Sequence, residues 1–422
     1  MKIRRAVFAP ASSAFFFDDQ AAIKRGATTD GFVYMGQPCT PGFTSIRQAG
    51  QGISVMLELE DGQVALGDCT AVQYSGAGGR DPLFLCDTYL PMVRRELPPM
   101  LEGLEVDKFR PIAGMVEQMR LGGKPLHTAL RYGISQALLD AAAKASRLLP
   151  CEVICREYSL PVVPAPIEIF GQSGDQRYDN VDKMILKQVD ALPHGLINNV
   201  PEKLGHDGEK LREYIRWIVG RIRQLRVSES YTPDLHIDVY GTIGVAFDHD
   251  VTKICDYLAS LQHDAQEFAL YVEGPVDMGD AGRQIQVMSD ITSRLDRCGS
   301  SVKIVADEWC NTLEDIRQYT NARACHMVQV KTPDLGGVHN VIEAVIYCNS
   351  HGVEAYQGGT CNETDISARM CVQLAMACRP KRMLAKPGMG FDEGFCIVRN
   401  EMNRTLAVLA ARAGHPRETT NA

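Results

Sequence analysis

Short apolar runs, mostly about 25 to 35 residues apart, recur from about residue 161 to near the C-terminus, and segments with a helical period fill the gaps. The runs are VVPAPIEIFGQSG, ALPHGLINNV, LHIDVYG, FALYVEGP, VKIVADE, MVQVKTPDLGG, GVEAYQGG and RMLAKPGMG, eight in all. One intervening segment, LREYIRWIVGRIRQLRV, sets Leu211, Tyr214, Ile215, Ile218, Ile222 and Leu225 on a single stripe, with arginines elsewhere. Eight strands alternating with helices predict an α/β fold, a closed parallel (β/α)8 barrel of the TIM type, with its active site at the C-terminal ends of the strands. A doubly wound open sheet is the competing arrangement, but the GxGxxG fingerprint of a dinucleotide site is missing.

A barrel needs about 250 residues, so a chain of 422 that is 45% hydrophobic has room for a second, smaller domain. The first 160 residues mix strand-like runs such as ISVMLELEDG with a stretch rich in helix formers, LHTALRYGISQALLDAAAKASRLL. The expected organisation is an N-terminal α+β capping domain over residues 1–160 and a catalytic barrel over 161–422. The 44 basic and 52 acidic residues are scattered, with a net charge of −8 and no cationic run. Nucleic acid and membrane surfaces are therefore not the expected partners, and small solutes are. Lys2, Arg4 and Arg5 precede an apolar stretch, AVFAPASSAFFF, that superficially resembles a secretory signal. Pro10, Ser12 and Ser13 interrupt it, and Asp18-Asp19 follows at once. Nothing approaches the roughly 18 apolar residues of a membrane span. The fourteen cysteines, Cys39, Cys69, Cys255 and Cys378 among them, occur singly and read as buried thiols of a reducing cytoplasm.

The chemistry gathers where the runs end. Asp238 in LHIDVYG, Glu273 in LYVEGP and Asp307 in IVADE are separated by 35 and 34 residues, one βα unit each. Neighbouring parallel strands lie roughly 4.8 Å apart, so three strand-end carboxylates can converge on one hard cation, and an all-oxygen site favours Mg2+. Without a cation they repel and raise one another's pKa. The competing reading makes each of them an N-cap of the following helix.

The next run, MVQVKTPDLGG, alternates Met327, Gln329 and Lys331 against Val328 and Val330. With the valines packed outward, Gln329 and Lys331 face the barrel interior. A lysine beside a divalent cation in a partly dry site is expected to lose some basicity and serve as a general base. The alternative is a lysine snorkelling to the rim. The GGTC turn at Gly358-Gly359-Thr360-Cys361 lets backbone N–H groups approach an anion closely. Gln73 precedes SGAGGRD, a glycine-rich loop without the GK[ST] of a phosphate loop, expected to be a lid.

Taken together, GDCTAVQYSGAGGRDPLF, LHTALRYGISQALLDA, QSGDQRYDNVDKMILK, LPHGLINNV, HIDVYGTIG, VADEWCNT, VQVKTPDLGGVHN, GGTCNET and LAKPGMGFDEG resemble the enolase superfamily and, within it, the methylaspartate ammonia-lyases. The resemblance spans nearly the whole chain. It implies reversible conversion of threo-3-methylaspartate to mesaconate and ammonia in glutamate breakdown, through an enolate dianion. It also implies a homodimer, a Mg2+ requirement and a monovalent cation, usually K+. Asp238, Glu273 and Asp307 stand at the family's metal positions, and Lys331 at that of the base for the 2S,3S substrate. His194 resembles the second base, serving the 3R epimer and meeting the distal carboxylate with Gln329. Gln73, Gln172, Thr360 and the Cys361 amide match positions that hold the amino group and the other carboxylate, and Phe170, Tyr356 and Leu384 resemble the apolar wall around the substrate. Gly195, Gln357 and Asp365 depart from the family pattern. A racemase, epimerase or acid-sugar dehydratase of the same superfamily, and a catalytically silent metal-binding relative, remain the alternatives.

Overall fold

The computed structural model describes residues 1–77 and 79–414. Three antiparallel strands open the chain: β1 (Ile3–Asp18), β2 (Arg47–Leu59) and β3 (Val64–Cys69), in the order β1-β2-β3. The signal-like AVFAPASSAFFF is the body of β1, and its register against β2 shifts between Ser12 and Phe16, where the small polar residues fall. The stretch rich in helix formers becomes α1 (Thr128–Ser146), which lies on this sheet. Glycines permit that contact: a Cβ on Gly133 would sit 2.4 Å from the Cys69 backbone nitrogen, and one on Gly67 would sit 2.2 Å from the Gly133 carbonyl oxygen. Any side chain there would push helix and sheet apart.

All eight apolar runs are strands of one barrel: β4 (Glu168–Phe170), β5 (Ala191–His194), β6 (Asp234–Asp238), β7 (Leu270–Glu273), β8 (Lys303–Ala306), β9 (Met327–Val330), β10 (Glu354–Gln357) and β11 (Arg382–Leu384). Every neighbouring pair is parallel, and the last strand pairs with the first through Arg382–Glu168, Met383–Ile169 and Leu384–Phe170. That closure excludes the open sheet. Alternation sorts the strand residues as expected: Val328 and Val330 join the outer core under the helices, whereas Met327 packs inside with Phe170, Ala191, Tyr271, Val305, Tyr356 and Leu384. Helix α2 (Glu209–Leu225) buries Leu211, Tyr214, Ile215, Ile218 and Ile222 against the barrel, and Leu225 at its last turn is half-buried.

The cysteines depart in part from expectation. Ten are buried and Cys86 is half-buried, but Cys39, Cys298 and Cys396 are exposed. Cys39 sits in a loop against the Arg25 guanidinium, and Cys298 is the residue that ends a helix at Arg297, so neither position has a core to enter. No helix among the described residues is long and apolar enough to cross a membrane.

Candidate metal and substrate site

Closure of the sheet brings the three strand-end acids together. Asp238 and Glu273 are register partners on β6 and β7, and Asp307 directly follows β8. Each offers a carboxylate oxygen within 4.8 Å of the other two, and all three are buried. They are not N-caps. The helix after β6 starts behind Gly241, the one after β7 is capped by Asp280, and the one after β8 by Thr312. Burial raises the pKa of all three carboxyls, and mutual repulsion adds to it, Asp307 acting on Asp238 and Asp238 on Glu273. A cluster that disfavours its own charge, built wholly of hard oxygen donors, fits a divalent cation of the Mg2+ kind.

Lower in the barrel, Glu273 is fixed from two sides. The Tyr356 hydroxyl donates to its Oε1 at 3.0 Å, and His236 Nε2 lies 2.8 Å from Oε2. Arg382, itself fully buried, points an N–H at His236 Nδ1 from 3.5 Å, so Nδ1 accepts and Nε2 carries the proton donated to Glu273. Burial and then the Arg382 charge hold His236 neutral, well below the usual histidine range.

Lys331 follows β9 and His194 ends β5, four strands away in either direction around an eight-stranded barrel. They therefore face one another across the mouth. Lys331 Nζ lies 2.5 Å from Asp307 Oδ1 and 3.7 Å from Glu308 Oε1. Burial pushes the amine down, but Asp307 and Glu308 outweigh it and hold Lys331 above the ordinary lysine range. His194 shows the opposite balance: burial, then the Lys331 charge, push it down to about 4, so it is neutral. Its backbone sits at φ +69°, its Nε2 is 3.5 Å from Asp238 Oδ2, and its Nδ1 has no partner.

One pocket touches His194, Asp238, Asp307, Lys331, Gln73, Gln172, Gln329, Thr360, Cys361 and Leu384. Orphaned buried oxygens on Gln172 and Gln329 mark it as a place for polar ligands. Tyr356 differs from the expected apolar wall, because its hydroxyl sits between Gln329 Nε2 and Glu273. Phe170 stacks on His236 at 4.3 Å, a layer below the mouth, and lies nearly perpendicular to the Tyr356 ring. Cys361 is buried and its thiol is pushed up to about 12 by that burial, so it stays protonated, as a donor to Gln73 Oε1 at 3.3 Å.

Sequence reasoning missed Arg80, Glu308, Tyr74 and Tyr240, all of which line this pocket. Arg80 comes from the SGAGGRD loop and crosses to the barrel, with Nε 2.8 Å from Asp334 Oδ2 and one terminal nitrogen 3.3 Å from Glu308 Oε2. The expected lid is thus pinned by an ion pair. Adjacent acids in VADE were the available signal for Glu308; nothing local marks Arg80.

Residues 1–159 match the model of the methylaspartate ammonia-lyase N-terminus, and residues 161–411 that of its C-terminus. The chain belongs to the methylaspartate ammonia-lyase family. The methylaspartate ammonia-lyase of Citrobacter amalonaticus is 62% identical over 98% of this chain and all of its own, and that of Clostridium tetanomorphum is 54% identical over 98% and all. The Citrobacter structure, which contains (2S,3S)-3-methylaspartic acid, covers 97% of this chain and all of its own at a TM-score of 0.96. The Clostridium enzyme in its Mg complex covers 98% and all at 0.94. An L-Ala-D/L-Glu epimerase of Bacillus subtilis, 16% identical with a TM-score of 0.64, shares the fold.

Within the family frame, the Gly358–Cys361 turn of this chain rests on a buried polar knot. Lys386 Nζ donates to the Gly358 carbonyl (2.6 Å), the Thr332 hydroxyl (2.9 Å) and Glu363 (3.1 Å), and the Tyr132 hydroxyl of α1 donates to Glu363 at 3.0 Å. Gly359, at φ +134°, leaves no room for a side chain, since a Cβ would lie 2.3 Å from Lys386 Nζ.

Proposed function

We propose that this protein is a Mg2+-dependent carbon–nitrogen lyase that converts 3-methylaspartate to mesaconate and ammonia, reversibly. The observation that carries the reading is the juxtaposition of three buried, mutually repelling carboxylates with Lys331 on one side and His194 on the other. Asp238, Glu273 and Asp307 would hold the metal. When bound, Mg2+ supplies Lewis-acid stabilisation of the charge that develops on the carboxylate beside the deprotonated carbon, whose proton is otherwise very weakly acidic.

Lys331 takes the C3 proton of the 2S,3S substrate. It can do so once the charge of Asp307 is committed elsewhere, because Asp307 is the main group holding its own proton in place. His194, neutral and facing Lys331, serves the 3R epimer from the other side of C3. Gln329 and His194 hold the distal carboxylate, while Gln73, Gln172, Thr360 and the Cys361 amide hold the amino group and the second carboxylate. Leu384 walls the methyl group, with Phe170 and Tyr356 setting the floor beneath. The GGTC turn receives an anion through backbone N–H groups, which needs no added cation. The same reading includes a K+-type monovalent cation, a homodimer and a cytoplasmic place in glutamate breakdown, all supported by the family resemblance.

The test is the ultraviolet absorbance of mesaconate formed from each epimer of 3-methylaspartate, with and without Mg2+. Mg2+-dependent formation with stoichiometric ammonia is expected. Solvent proton exchange at C3 with no ammonia released would place the chain with racemases and overturn the assignment.

A further inference from the structure

The mechanism above leaves unused a buried ion pair at the seam between β1 and the barrel. Asp18, the last residue of β1, is 1% exposed, and Arg47 at the start of β2 clasps both its oxygens at 2.7 Å. The guanidinium is packed among aromatic rings, 4.2 Å from the centroid of Phe32 and 4.8 Å from that of Tyr34. Burying such a pair is costly unless its remaining valences are used. Among the described residues the other partner of the carboxylate is Gln73, whose Nε2 donates to Asp18 Oδ2 at 2.5 Å. The backbones are joined too, the Asp18 N–H donating to the Gln73 carbonyl at 3.0 Å.

These contacts decide which way the Gln73 amide faces. An ionised carboxylate only accepts, so the atom against Asp18 is the nitrogen. At the other end the protonated Cys361 thiol donates to Oε1, which agrees with the same orientation. Both amide atoms are thereby assigned, and Oε1 keeps one lone pair for the pocket that Gln73 lines. A free lone pair at that point accepts from a protonated amine, whereas a flipped amide would set N–H groups against it.

We propose that Asp18, clamped by Arg47, is a positioning residue that holds the Gln73 oxygen toward the substrate's amino group and thereby sets the affinity for ammonia. This deepens the proposed lyase reading and rests on it. Neither residue touches the reacting carbon, so the effect should fall on one substrate rather than on turnover as a whole.

The experiment measures ammonia addition to mesaconate by the full-length protein with Mg2+. Asp18→Asn should raise KM for ammonia about tenfold, the scale of one charged hydrogen bond, with KM for mesaconate and kcat changed less than about threefold. The same substitution in a Gln73→Ala background should add nothing, because Asp18 acts through Gln73. Should Asp18→Asn not fold, Arg47→Lys, which keeps the charge but loses the fork, should shift the same KM by a smaller factor and also vanish in the Gln73→Ala background. An unchanged KM for ammonia, equal losses in both KM values and kcat, or additive effects in the Gln73→Ala background would overturn the proposal. No turnover by the unaltered chain would instead sink the lyase assignment, and this inference with it.

Discussion

Replacing Asp238 by Asn should stabilise the metal-free protein while destroying its response to Mg2+. The substitution keeps the shape of the side chain, and its Oδ1 can still accept from the Tyr240 N–H, now at 3.0 Å. What changes is charge. Two unit charges no more than 4.8 Å apart repel by about 3.5 kcal/mol or more at an effective dielectric near 20, and Lys331 offsets part of this. A net gain of about 1–3 kcal/mol in the absence of metal is expected, which for a chain of this size is a rise of about 1–3 °C in Tm. The parent should gain about 2.7 kcal/mol from Mg2+ at 100 times its Kd. The variant should gain almost none. A pH series adds a sign. The folded-state pKa values of the acids are raised, so the repulsive penalty is fully present above those raised values and fades as pH falls through them. The stability difference between variant and parent should therefore shrink on acidification. Scanning calorimetry in EDTA and in excess Mg2+ measures all of this. A variant less stable than the parent in EDTA, with an undiminished Mg2+ shift, would refute the reasoning that these acids share a cation.

Lys331→Ala should abolish turnover of the 2S,3S epimer, by at least about a thousandfold on the scale of a lost general base, yet keep the Mg2+ shift in Tm; retained turnover removes lysine from the base role. His194→Ala should damage the 3R epimer selectively, and equal loss on both epimers in steady-state assays would contradict separate bases. Lys386→Met leaves Glu363 buried without its cation and should cost about 3–5 kcal/mol in urea unfolding; a loss below about 1 kcal/mol would show that the knot beneath the GGTC turn is not a stabilising one.

Features that repeat along the chain could be read without the structure. Strand spacing implied the closed barrel, and a carboxylate at three successive strand ends implied a shared site, because one βα unit advances the chain by one strand. Alternation in MVQVK placed Gln329 and Lys331 inward for the same reason. Contacts between distant segments could not be read this way. Arg80 meets Asp334 across 254 positions, and Asp18 meets Gln73 across a strand pair whose register depends on a shift near Ser12. That Asp307 and Glu308 both reach the Lys331 amine could not be read either, because the pairing depends on where β8 and β9 set their ends. Exposed Cys39 followed from a loop whose path no local pattern reveals.

The proposed chemistry depends on one divalent ion held by Asp238, Glu273 and Asp307 at the barrel mouth. Anomalous diffraction from a crystal grown with Mn2+ in place of Mg2+ tests it most directly. A single strong peak within coordinating distance of all three carboxylates is the expected result. A peak bound elsewhere, or none beside these oxygens at saturating Mn2+, would contradict it.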